Sequence, residues 1–174
     1  CLAYDCFNIQ NPQRFPLSIL DIALAGGISS RLFQEIREKR GLVYSINSFK
    51  SLYKQAGIFG IYAGTNDNNI DEVTQIIIKE LKAIKKNGLS CNEIIRAKKQ
   101  LKGHLLLGLE SMYYRAYRNA HSLLYFDKVY NIDEICTCIN KIDNNQIIEV
   151  ANEIFTSENF AFSTVGPKKL ELFI

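Results

Sequence analysis

"LVYSINSFKSLYKQAGIFGIYAG" spans Leu42 to Gly64. Its two ends are rich in β-branched and aromatic residues, and the more polar KSLYKQA between them reads as a turn. Strands joined by so short a link pair antiparallel, because a parallel crossover needs a dozen or more residues. An antiparallel hairpin is therefore favoured over a βαβ array, and the expected class is α+β. Gly57, Gly60 and Gly64 in the second strand predict close approach by another backbone or helix.

Outward from the hairpin, the flanking segments alternate in type. "AGGISSRLFQEIREKRGLVYS" (25–45) leads into it. Ser29 or Ser30 is expected to cap a helix over 31–39, which Gly41 ends. The apolar stretch 15–24 predicts an earlier helix, stopped by Gly26 and Gly27. Leu2, Tyr4 and Cys6 alternate with Ala3, Asp5 and Phe7, as in a strand. Downstream, Asn69, Ser90, Asn131 and Asp143 are each followed three residues later by Glu or Gln, the pattern of a helix start. The helix after Ser90 is expected to be long, with apolar residues continuing to Phe126. "NFAFSTVG" (159–166) reads as a closing strand. The expected architecture is a two-layer α+β domain over 1–174, with a mainly antiparallel sheet and helices packed on one face. Tyr44 and Phe59 should lie on neighbouring antiparallel strands, with the helix from Ser90 across a single face.

Composition narrows the function classes. The chain has 174 residues, 47% hydrophobic and 22% charged, with 3 prolines, which is globular rather than disordered. A formal net charge of +3 does not call for a nucleic-acid partner. No apolar run is long enough for a membrane span. The chain opens on a strand already under way and without Met, the expected look of a fragment of a longer protein. Five cysteines, odd in number and irregular in spacing, are expected to be reduced, as in an intracellular protein, cytoplasmic or of an organellar matrix.

Much familiar chemistry is missing. His104 and His121 are expected on one long helix, almost five turns apart, and cannot share a metal within it. Cys136 and Cys138 are two apart on a helix and point to different sides. No nucleophile elbow and no Walker-type loop is present. The glycines and serines of AGGISSR are a weak anion-binding signal and a stronger helix-to-helix turn signal. The lysines at 79, 82, 85, 86, 98, 99 and 102 lack interleaved aromatics and read as a solvated helical face.

Four stretches in order carry a resemblance: GGISSRLFQEIREKRGLVYS, AGIFGIYAGT, NEIIRAKKQLKGHLLLGLES and FAFSTVGP. Together they resemble the C-terminal, non-catalytic half-domain of the pitrilysin and mitochondrial-processing-peptidase family of zinc metallopeptidases, over roughly Leu2 to Pro167. In that family the N-terminal half carries H-x-x-E-H, which is absent here. With its two histidines far apart on a helix and its cysteines unpaired with them, this chain is expected to bind no metal, and the resemblance implies that zinc belongs to a missing N-terminal domain. It further implies that Arg37 and Tyr44 match an arginine and tyrosine, seven residues apart, that reach a peptide substrate. A guanidinium offers a fixed fork of N–H donors for peptide carbonyls. A phenol near the scissile carbonyl stabilises the developing oxyanion. Without the resemblance, Arg37 is an exposed helix arginine near Glu35 and Glu38, and Tyr44 shares a strand face with Leu42 and Ile46. The implied function is a substrate-clamping domain of a zinc-dependent endopeptidase acting on peptides or presequences, inactive alone. Its expected partners are a peptide substrate and an N-terminal catalytic domain or catalytic partner subunit. The alternative is a non-catalytic scaffold or assembly subunit of the same fold.

Overall fold

In a computed structural model, residues 1–156, 158 and 160–167 are described. Four strands form one antiparallel sheet in the order β2-β3-β1-β4. They are β1 (Leu2–Cys6), β2 (Val43–Leu52), β3 (Gly57–Thr65) and β4 (Phe160–Phe162). The hairpin forms as the sequence predicts, with Lys50 opposite Phe59 and Phe49 opposite Gly60. β1 lies between β3 and β4, antiparallel to both. Asn159, at the start of the expected closing strand, lies outside the described residues.

Period-two alternation gives the sheet two unlike faces. Leu2, Tyr4, Ile46, Phe59 and Ile61 are buried on one, whereas Phe49, Ile58 and Tyr62 stay exposed on the other. The buried face meets α1 (Arg14–Ala25) on β2 and α6 (Asn144–Ile154) on β1. Phe155 closes this core, its ring 5.3 Å from Tyr4 and 5.6 Å from Phe59. Each such fully buried apolar side chain contributes about 1.5–3 kcal/mol. Gly60 sits under the Phe49 ring, and a Cβ there would run into it. The close approach expected at this glycine is thus made by a neighbouring aromatic rather than by a helix.

The helical layer departs from expectation in three places. The long helix after Ser90 is two helices, α3 (Cys91–Gly108) and α4 (Met112–Phe126). Ser111 restarts the chain by accepting a hydrogen bond from Tyr114 N at 3.3 Å, a local cap that the run of apolar residues concealed. α3 packs chiefly against α1 and α5 (Ile132–Lys141) rather than directly over the sheet. At α2 (Ile70–Asn87), Asn69 makes no side-chain cap; a short 3-10 turn, Asp67–Asn69, precedes the helix. The other three start signals form as reciprocal capping boxes, Ser90 with Glu93, Asn131 with Glu134 and Asp143 with Gln146.

Candidate functional site

The site is assembled where a widened helix turns into β2. Leu32 and Ile36 are fully buried, four residues apart, and anchor the helix inward. From Phe33 to Glu38 it adopts π geometry instead of the expected α-helix, with Lys39 N donating to Gln34 O at 3.0 Å. Such wide turns are rare and concentrate at functional sites. Arg37 points outward next to buried Ile36, and its guanidinium lies 5.0 Å above the Phe33 ring. Glu35 does not pair with it: Glu35 bonds Lys39 and Arg40, which hold its carboxyl below the usual carboxylate range. Arg37 therefore has no ion pair among the described residues.

Gly41 ends the helix with φ of 62°, a left-handed conformation that glycine adopts without strain. Its N–H donates to Arg37 O at 3.0 Å, and Leu42 N donates to Ile36 O at 3.0 Å. The chain then enters β2 through a bulge. Val43 pairs with Thr65 and Ser45 with Gly64, leaving Tyr44 as the extra residue. The bulge changes the phase of the strand, so Val43 and Ile46 are both buried while Tyr44 is 70% exposed. Tyr44 therefore does not share a buried face with Ile46, the arrangement its spacing suggests. Thr65 Oγ1 donates to Leu42 O and pins this start, with Asn69 Nδ2 reaching the same carbonyl at 3.4 Å.

The Tyr44 hydroxyl donates to Asn66 Oδ1 at 2.7 Å. Asn66 was not legible as a site residue, because the run Asn66–Asn69 reads as turn and cap chemistry. Phe33, the platform under Arg37, was hidden in a helical pattern that assigns it to packing. Among the described residues no hydrogen bond joins Arg37 and Tyr44. Each is held by its own neighbour, on the two arms of one helix-turn-strand unit.

Behind this unit, a cavity of about 520 Å³ is lined by Ser29, Arg31, Gln34, Glu80, Glu93 and Arg96, among others. Arg31, Glu80 and Glu93 engage one another. Arg31 bonds both carboxylate oxygens of Glu93, with Nη2 to Oε2 at 2.9 Å, and approaches Glu80 at 3.8 Å. Partial burial disfavours the Glu93 charge, yet hydrogen bonds from Arg31 and Ser90 outweigh it and lower the carboxyl to about 2. The Ser30 hydroxyl donates to Gly27 O at 2.6 Å instead of capping the following helix. The Gly–Ser stretch is thus a turn, and the arginine beside it is neutralised by acids.

The described residues do not fit a zinc ion. His104 is exposed on α3, and His121 lies on α4 between the rings of Tyr117 and Tyr125. Among the described residues no group of three or more His, Cys, Asp or Glu is placed to hold a metal. All five cysteines are free. Two lysines satisfy carbonyls at helix C-termini: Lys85 donates to Phe155 O, and Lys98 to Asn140 O and Ile142 O. Among the described residues no helix is long and apolar enough to cross a membrane.

Residues 1–101 match the family model described as the peptidase M16 inactive domain. An uncharacterised zinc protease of Bacillus subtilis is 33% identical over 167 residues, which is 96% of this chain and 41% of that protein. One of Rickettsia felis is 39% identical over 89% of this chain and 37% of its own length. The chain thus spans about two-fifths of these relatives. A protease from Helicobacter pylori shares the fold with a TM-score of 0.83 at 22% identity, over 91% of this chain and 38% of that one. An M16 inactive domain from Pseudomonas fluorescens does so with a TM-score of 0.79 at 19% identity, over 91% and 39%.

Proposed function

The chain belongs to the family of peptidase M16 inactive domains, and from that premise we propose that it is the substrate-clamping, non-metal-binding domain of a zinc-dependent endopeptidase. In this reading residues 1–174 form one domain of a longer protein, whose other part holds the metal and the hydrolytic water. Arg37 and Tyr44 bind the peptide presented there. The observation that carries the reading is the bulge: an extra residue in β2 turns a tyrosine, otherwise a core side chain, out to 70% exposure. Bulges recur next to active sites, where they re-aim a side chain at the cost of a local break in the ladder.

The two side chains divide the work by chemistry. Arg37 has no acid to satisfy and rests on Phe33, so its N–H fork is available for ground-state carbonyls of an extended peptide. Tyr44 already donates its one proton to Asn66. Transfer of that donor from the Asn66 oxygen to a peptide carbonyl exchanges one hydrogen bond for another, which is nearly neutral overall. The bond strengthens only as the carbonyl becomes an oxyanion, and that differential is what accelerates a reaction.

Steady-state kinetics on a short peptide, in the longer protein with zinc content matched, test the assignment. Tyr44→Phe is expected to lower kcat roughly 100-fold with little change in KM, the typical effect of one lost oxyanion donor. Arg37→Ala is expected to raise KM about tenfold, the loss of a charged hydrogen bond in the ground state. Unchanged kcat/KM in both variants would leave the alternative, a scaffold subunit of the same fold that never holds substrate.

A further inference from the structure

Two hydroxyls at the core have nothing to bond. Tyr4, on the buried face of β1, is 4% exposed, with its ring packed against Phe155 and Phe160. Among the described residues its hydroxyl makes no hydrogen bond, and burial alone pushes it up to a pKa of about 12. Thr156 Oγ1 is buried and likewise without a partner among the described residues. A buried polar group left unpaired is costly, and such groups are few in folded proteins. Both residues line one cavity of about 280 Å³, walled by β1, by α2 and by the segment after α6. Ile78, Leu81, Lys82 and Lys85 face it from α2, at the spacing of one helical stripe. Leu81 and Phe155 are buried and supply an apolar wall. Lys85 is committed, donating to Phe155 O at 2.7 Å. Lys82 is exposed, and no acid lines the cavity among the described residues. The space equals that of roughly nine waters at about 30 Å³ each, enough for a short aliphatic chain and its head group.

We propose that this cavity binds a carboxylate carried on a short aliphatic chain. The chain lies against Ile78, Leu81 and Phe155, and the carboxylate accepts from the Tyr4 and Thr156 hydroxyls and pairs with Lys82. The donor set selects the head group. A carboxylate only accepts, and it is served by two hydroxyls and an ammonium, which can all donate. An amine would meet Lys82 as a like charge, and an inorganic anion would leave the apolar wall uncovered. A hydroxyl that donates to an ionised acceptor also forms a stronger bond than one that donates to a neutral group. An apolar pocket with a few convergent polar groups is the common form of a small-molecule site. Two sources share this chemistry: a free fatty acid, and the last residue of a peptide that ends in an aliphatic side chain. The cavity shares no residue with the Arg37 and Tyr44 unit, so it stands or falls apart from the clamp.

Calorimetric titration of the longer protein with hexanoate, hexanol, N-acetylleucine and N-acetylleucinamide tests it. Saturable binding of an acid is expected, roughly tenfold tighter than that of its neutral counterpart, the size of a charged hydrogen bond. The tighter of the two acids names the source, hexanoate a fatty acid and N-acetylleucine a peptide end. Tyr4→Phe and Lys82→Met should each weaken that binding about fivefold. Absence of saturable binding overturns the proposal, and so does a neutral compound that binds as tightly as its acid. Binding that either substitution leaves unchanged also overturns it, because the acid is then held elsewhere, for instance on a metal. Thermal unfolding without ligand supplies the check on folding. Tyr4→Phe should match or exceed the parent Tm, since deleting an unpaired buried hydroxyl removes a desolvation cost. A Tm clearly below the parent's would show that the hydroxyl is already bonded, and would overturn the site.

Discussion

At the scale of single residues, the unbonded state of Arg37 and the bonded state of Tyr44 are the instructive contrast. Among the described residues Arg37 makes no ion pair and rests on the Phe33 ring, while the nearby acid Glu35 is bonded by Lys39 and Arg40. Tyr44 is held ready by a hydrogen bond to a neutral amide, which fixes the ring while leaving its proton transferable. In the proposed clamp, Asn66 is a positioning residue. Asn66→Ala is expected to lower kcat/KM about three- to tenfold, less than Tyr44→Phe, because the hydroxyl survives and only its orientation is loosened. Asn66→Asp, which keeps an acceptor, should restore most of the loss; equal damage from Ala and Asp would count against an orienting role. The exposure of Arg37 follows from its place in a charged helical run, whereas the proposed roles of Arg37 and Tyr44 come only from the resemblance of their flanking sequence. Asn66 was not legible, because an asparagine in a turn serves local backbone bonds far more often than a partner 22 residues away.

At the scale of elements, the helix-turn-strand unit depends on two backbone departures of opposite kind. A π turn widens the helix before Gly41, and a bulge lengthens the strand after it. Gly41 itself has open space around its Cα, so only its φ of 62° resists a side chain. Gly41→Ala is expected to cost about 1 kcal/mol from left-handed strain, a fall in Tm of about 3 °C for a domain of this size. A Tm equal to or above the parent in calorimetry would refute that assignment. Gly41 as a helix stop was legible because the signal is local. The bulge was not: strict alternation places Tyr44 with Ile46, and nothing in the residues themselves announces an extra position. The break between α3 and α4 was missed for the same reason. Leu105 to Leu109 continue a helical pattern through Gly108, and Ser111 looks like any polar residue within it. Three of the four capping boxes were read correctly, since each needs only residues three apart.

At the scale of the whole molecule, the layers were legible and their depth was not. The hairpin fixes the antiparallel sheet, and the alternation of β1 and β3 fixes which face is covered. α3, stacked outside α1, is held by several long-range bonds, among them Arg31 to Glu93 and Gln100 to Gly26 O. Because the Glu93 carboxyl is depressed to about 2 in the fold, its contribution is complete above its unfolded value near 4.5 and is lost as pH falls toward 2. Stability measured by denaturant titration should therefore decline across that acid window, and Glu93→Gln should flatten the decline. An unaltered acid profile in Glu93→Gln would remove Glu93 as its source. The same side chain also carries a clock. Its bond to Ser90 spans three residues and needs nothing but the first turn of α3, whereas its bond to Arg31 spans 62 and must wait until distant segments have met. Glu93 acts twice, early as a starter and late as a latch. A latch closed after the rate-limiting step governs how fast the native state is left, not how fast it is reached. The part of the acid sensitivity carried by the Arg31 bond should accordingly appear in the unfolding rate under stopped flow, and the part carried by the local Ser90 bond in the folding rate.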